Sequence, residues 1–149
     1  VSELKACLLQ LYQNVKEQPS LLATIPGIGQ ETAIALEAYI GDIARFPKAK
    51  NLVAYFGMNP TVNLSGIVTA RPGSLQKKGC ALVRHKLFMA VLSMIRNQVE
   101  PFYSYYQRLV AAGKPKLVAI GATMRKLLVV IYAMLKKQQP FQPKKNLLS

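Results

Sequence analysis

Between Pro115 and Lys137 the apolar residues Leu117, Ile120, Met124, Leu127, Leu128 and Ile131 recur at steps of three and four. That period belongs to one face of an α-helix and not to a strand, whose faces alternate every second residue. A helix this long with so wide an apolar stripe has to be covered, so the stripe is read as core or as an oligomer face. A bilayer is not expected to do the covering. The longest unbroken apolar run, Leu127 to Leu135, is far shorter than the roughly 20 residues of a membrane span, and Arg125 and Lys126 precede it directly. No signal peptide is visible, and the cytoplasm, nucleoid-associated, is the expected compartment. Cys7 and Cys80 form neither a disulfide framework nor a metal-binding spacing, in keeping with a reducing interior.

The rest of the chain reads the same way. Residues 2–18 carry Leu4, Leu8, Leu11 and Val15 at helical spacing and are expected to be the end of a longer linker helix. Because Val1 is not an initiator Met, the chain is expected to be a fragment. Residues 19–137 form the expected helical domain. It holds a short helix over 19–24 and longer ones over Gln30 to Ile40, Lys48 to Phe56, Cys80 to Asn97, Glu100 to Ala112 and Pro115 to Lys137. Pro101 stands in the first turn of one, where a missing N–H costs nothing. Residues 57–79 hold Gly57, Pro60, Gly66, Pro72, Gly73 and Gly79 and are expected to be irregular, with at most a small hairpin around Thr61 to Thr69. So long a loop in a compact domain points to function. Residues 138–149 read as a flexible basic tail. The expected class is all-α, and 149 residues are enough to bury a sizeable core.

Charge narrows the partners. The net charge is +14, and it is unevenly spread. Beyond Asp42 there are eighteen basic residues and one acid, Glu100. With so few carboxylates to pair with, these cations suit a polyanion, whose phosphates they neutralise with release of counterions.

The segment LLATIPGIGQETAIALEAYIG has the pattern of a helix-hairpin-helix, in which two short helices flank a Gly-x-Gly turn. Glycines there allow close backbone approach to a phosphate, and the following helix offers free N–H groups. The main-chain amides of Gly27, Ile28 and Gly29 are the expected phosphate-facing groups. Contacts of that kind do not read base sequence. An ordinary helical turn packed on protein is the plain alternative.

Further along, IPGIG is followed by IGDIARFPKAKNLVAYFGMNP, then LSG, then KKG and a basic helix, and then FYSYYQRLVAAGKPKLVAIGATMRKLLVVIYAML. This order resembles the C-terminal domain of transposases of the insertion sequence 110 family, also named for sequences 116 and 902, over roughly residues 20–137. The resemblance implies a part of a DNA transposase that supplies a nucleophilic serine for strand cleavage and exchange. The family's Ser-Gly motif matches Ser65-Gly66. It further implies an N-terminal RNase-H-like domain with an acidic site for Mg²⁺, a helical linker, a guide (bridge) RNA and a homo-oligomer. The sequence departs from the family pattern at Ile67, Gln76 and Cys80.

The residues themselves are compatible with that role. A serine that attacks a phosphodiester must be exposed and activated, and cations must stabilise the charge that builds on the phosphoryl oxygens. Arg71, Lys77, Lys78 and Arg84 are the nearest in sequence, and Gly66 permits close approach. Taken alone, Ser-Gly in a loop is more often a turn. Ser74 is a second candidate nucleophile. His85, the lone histidine, reads as a phosphate hydrogen-bonder or surface residue, and Tyr103, Tyr105 and Tyr106 read as packing. No metal site assembles from one histidine, two distant cysteines and scattered acids. Two other functions fit the same residues: a non-catalytic helix-hairpin-helix module that binds DNA or RNA, and an oligomerisation module.

Overall fold

The computed structural model describes residues 20–58 and 75–143, together with Glu3, Lys5 and Ala6; for 75–80 the description is of the backbone. Ser65, Gly66, Arg71 and Ser74, the expected hairpin around Thr61 to Thr69, and the expected helix over 2–18 apart from those three residues lie outside the described residues.

All described regular structure is helical. A 3-10 turn, Leu21–Thr24, is followed by α1, Gln30–Ile40. A second 3-10 turn, Ile43–Arg45, leads to α2, Ala49–Tyr55. Then come α3, Leu75–Arg96, α4, Phe102–Ala111, and α5, Lys116–Lys137. Local chemistry sets these ends. Ser20 Oγ accepts from the Leu22 amide at 3.2 Å and Asp42 Oδ1 from the Ala44 amide at 3.0 Å, each capping a 3-10 turn. α1 stops at Gly41, whose φ of +67° suits a residue without Cβ. Glu100, one residue before the N-cap Pro101, ties to the first turn of α4, accepting from the Ser104 amide at 3.3 Å and its hydroxyl at 2.6 Å.

One boundary differs from expectation. α3 begins at Leu75, so Lys77, Lys78 and Gly79 stand inside a helix and not in the irregular loop. Leu, Gln and Lys are good helix formers, and one interior glycine costs only about 1 kcal/mol, which the helix absorbs.

α5 is the axis of the domain. It packs against α2, α3, α4 and both 3-10 turns, while α1 packs on the first 3-10 turn and α3. Its buried face comprises Ala119, Ala122, Thr123, Met124, Leu127, Leu128, Val130, Ile131 and Met134. These meet Leu22, Leu52, Phe56, Leu87, Val91, Met94 and Phe102 in one core. Each fully buried Leu, Ile or Phe contributes about 2 kcal/mol. The stripe that predicted this helix is core from Met124 onward; Leu117 at its start is 61% exposed. α5 has 22 residues, and an 18-residue stretch of it has a mean hydropathy of 1.7, enough by length and composition to cross a bilayer. The length argument drawn from Leu127 to Leu135 therefore does not hold. What occupies the helix here is the domain itself, which buries half of that stretch.

The chain after α5 turns back over the first 3-10 turn. The Phe141 amide donates to Thr24 Oγ1 at 2.9 Å, and the Phe141 ring stacks on Phe102, centroids 6.1 Å apart.

Candidate nucleic-acid interface

The glycine turn is built from two buried anchors with exposed backbone between them. Ile25 and Ile28 are 1% and 4% exposed, and their burial holds the turn against the core. The Ile28 amide donates to the Ile25 carbonyl at 3.1 Å. That amide is therefore engaged within the turn. Gly27 and Gly29 also differ from each other. Gly27 has φ +97°, and a Cβ there would come within 2.8 Å of Met94 Cγ and 3.5 Å of the Ala90 carbonyl on α3. Its lack of a side chain serves close packing on protein. Gly29 has ordinary dihedrals and open space where a Cβ would stand. Gly29 caps α1 and accepts from Ala33 at 2.9 Å, so the exposed backbone suited to close approach is Gly29 and the first turn of α1.

Both arms of the turn are tied together. Ser20 Oγ donates to Glu37 Oε1 at 2.6 Å, linking the 3-10 turn to α1. Burial raises the Glu37 carboxyl from 4.5 to about 6. Because the folded value lies above the unfolded one, this group's stabilisation is full below pH 4.5 and is lost as pH rises through about 6. The expected loss is about 1 kcal/mol after allowance for solvent screening. Thermal melts of the wild type and Glu37→Gln across this range should show the wild type losing that increment relative to the variant; parallel melting curves across pH would contradict it.

α3 runs beneath the turn and places His85 and Lys86 beside it. Lys5, Gly27, Thr32, Leu82, His85, Lys86, Met89 and Ala90 surround an open depression of about 370 Å³. Lys86 Nζ lies 3.2 Å and Lys5 Nζ 3.1 Å from Glu31 Oε1. Hydrogen bonds and charge from Lys5 and then Lys86 hold Glu31 below the usual carboxylate range, so it stays ionised. Two ammonium groups on one carboxylate leave the mouth of α1 net positive. Leu82 and Met89 are 56% and 51% exposed on the same side of α3.

The structure thus brings Gly27, His85 and Lys86 together. Arg84 is half-buried on α3 and does not line the depression. Lys77 and Lys78 fall in the first turn of α3. Lys5, Thr32, Lys86, Leu82 and Met89 were not expected at the site. Helical register from His85 could have suggested Leu82, Lys86 and Met89, but nothing in the sequence links Lys5 to Glu31. Among the described residues no three His, Cys, Asp or Glu side chains gather as a metal site would require. The described residues do not fit a divalent cation.

The fold is an all-helical domain with a glycine turn seated on α3, and comparison with known proteins places it further. The model of the "Transposase IS116/IS110/IS902 family" matches residues 19–107, more than half of the chain. The chain belongs to this transposase family. It is 36% identical over 134 residues to a pilin gene-inverting protein of Moraxella bovis, covering 90% of this chain and 42% of that protein. To the pilin gene-inverting protein of Moraxella lacunata it is 38% identical over 122 residues, covering 82% and 38%. With the transposase for insertion sequence element IS1111A of Coxiella burnetii it shares 25% identity over 137 residues, covering 90% and 37%. The chain therefore spans less than half the length of these relatives.

Proposed function

We propose that this chain is the C-terminal part of a DNA recombinase, binding DNA through its backbone and supplying Ser65 as the nucleophile for strand cleavage and exchange. The observation that carries this reading is the family match over residues 19–107, which spans both the glycine turn and Ser65-Gly66. Relatives named for gene inversion and for transposition share a need to cut and rejoin DNA strands. In the proposed step the Ser65 Oγ–P bond forms as a P–O bond to one strand breaks; the hydroxyl proton leaves and the released strand oxygen gains one. The protein–DNA ester keeps the bond energy for rejoining. The first turn of α3, with Lys77 and Lys78, begins ten residues after the serine and supplies positive charge to the phosphoryl group. Gly29 and the mouth of α1, charged by Lys5 and Lys86, hold the backbone nearby in the manner of a helix-hairpin-helix.

The full-length protein is proposed to work in the cytoplasm as a homo-oligomer with a guide RNA, its Mg²⁺ site lying in an N-terminal domain. A full-length protein that carries this chain, incubated with nicked DNA and denatured, is expected to give a covalent protein–DNA adduct at Ser65. Salt-sensitive binding with cleavage but no adduct would favour the non-catalytic binding module, with chemistry performed elsewhere.

A further inference from the structure

Two cations from different helices converge on one ring at the α4–α5 contact. The Arg108 guanidinium carbon lies 5.3 Å, and Lys126 Nζ 4.7 Å, from the centroid of Tyr105. Tyr105 and Arg108 are one turn apart on α4, and α5 brings Lys126 to them. Neither cation forms an ion pair among the described residues, whose ion pairs converge on Glu31. Glu100, the nearest acid in sequence, is engaged with Ser104, and no acid follows it to the end of the chain.

This arrangement gathers two like charges at one ring. Lys126 is half-buried. Its ammonium is held below the ordinary lysine range, first by desolvation and then by the charge of Arg108. The Tyr105 ring face attracts each cation but cannot cancel their mutual repulsion. An anion bridging the two would relieve it.

We infer that Tyr105, Arg108 and Lys126 form a phosphate clamp for a nucleic-acid backbone, a contact distinct from the glycine turn. No residue of α4 or α5 lines the depression at that turn, so the two contacts are separate surfaces. The inference rests on the nucleic-acid reading above and gives that reading a second point of attachment. A polymeric polyanion is favoured over a single acidic side chain because α5 and the connection that leads into it also carry Lys114, Lys116, Arg125, Lys136 and Lys137, with no acid among them. DNA and RNA present the same phosphodiester, so both are probed.

The test compares the 149-residue chain with its Arg108→Gln/Lys126→Gln variant. Binding of a short DNA duplex and of an RNA hairpin is measured by fluorescence anisotropy over a range of salt concentrations. The variant is expected to bind at least one of them about tenfold more weakly, with a log–log salt slope shallower by about 1 to 2. Its melting temperature should be no lower than that of the wild type, because a repulsion has been removed. The charge-preserving Arg108→Lys/Lys126→Arg variant should retain affinity, which separates charge from folding. The polymer whose affinity falls is the clamp's ligand. Unchanged affinity and slope on both polymers, with the wild type binding, would overturn the clamp alone. A wild type that binds neither polymer overturns the clamp and the nucleic-acid reading together. A loss seen only with polyglutamate as probe overturns it in favour of an acidic protein partner.

Discussion

Ser65→Ala, in a full-length protein carrying this chain, is expected to lower strand cleavage by about 10⁴-fold or more while leaving DNA affinity within about twofold. The substitution removes one atom, Oγ, and that atom forms the bond to phosphorus in the proposed step. Water could hydrolyse a phosphodiester, but the bond energy would be lost and the strands could not be rejoined. Affinity is expected to survive because the backbone contacts proposed at Gly29, at the mouth of α1 and along the basic helices do not involve the hydroxyl. Cleavage rates and adduct yield on nicked DNA, with anisotropy for binding, check both halves. A variant that cleaves and rejoins within tenfold of the wild-type rate would remove Ser65 from the reaction and turn attention to Ser74. A variant that loses binding as well as cleavage would make the residue part of the interface.

Gly27→Val is expected to destabilise the domain by about 3 kcal/mol, a fall of roughly 10 °C in melting temperature. Two effects add. At φ +97° a β-branched residue is strained wherever it stands. Its Cβ would also lie 2.8 Å from Met94 Cγ, and Met94 is fully buried, so it has no solvent to move into. Gly29→Ala is the matched control. The added methyl meets nothing within 4 Å, and the backbone there is ordinary. A small loss at the helix cap is offset by reduced freedom of the unfolded chain. Its melting temperature should stay within about 2 °C of wild type, while its DNA affinity falls about five- to tenfold if a phosphate approaches that backbone. If Gly27→Val melts like wild type, the turn is not seated on α3. If Gly29→Ala binds like wild type, the phosphate approaches elsewhere.

Much of the helical plan was legible in the chain. α1 runs over Gln30–Ile40 as its spacing predicts, because Gly29 and Gly41 punctuate both ends. α5 is set by its aliphatic stripe. The start of α3 was not legible: Gly79 reads as a stop, yet the helix passes through it from Leu75. Of the candidate site, the glycine turn could be anticipated from pattern, but the burial of Ile25 and Ile28 that seats it could not. The loss of the Ile28 amide to the turn could not, since it depends on the turn's dihedrals. Phe141 sits in a segment with no periodicity, and only its stacking on Phe102 gives it a place. The same holds for Arg108 and Lys126, ordinary surface cations on a linear reading.

By itself the sequence determined that the domain is helical and that it carries a large surplus of positive charge suited to a polyanion. Periodicity and net charge are properties of residue order and composition and need no third dimension. Only the tertiary structure decided which glycine faces protein and which faces open space, which carboxylate collects Lys5 and Lys86, and which cations are left together on Tyr105. Those outcomes follow from contacts across tens of residues, such as Gly27 with Met94 or Lys5 with Glu31, where local propensity is silent and packing of α1 and α4 on α3 and α5 sets the distances.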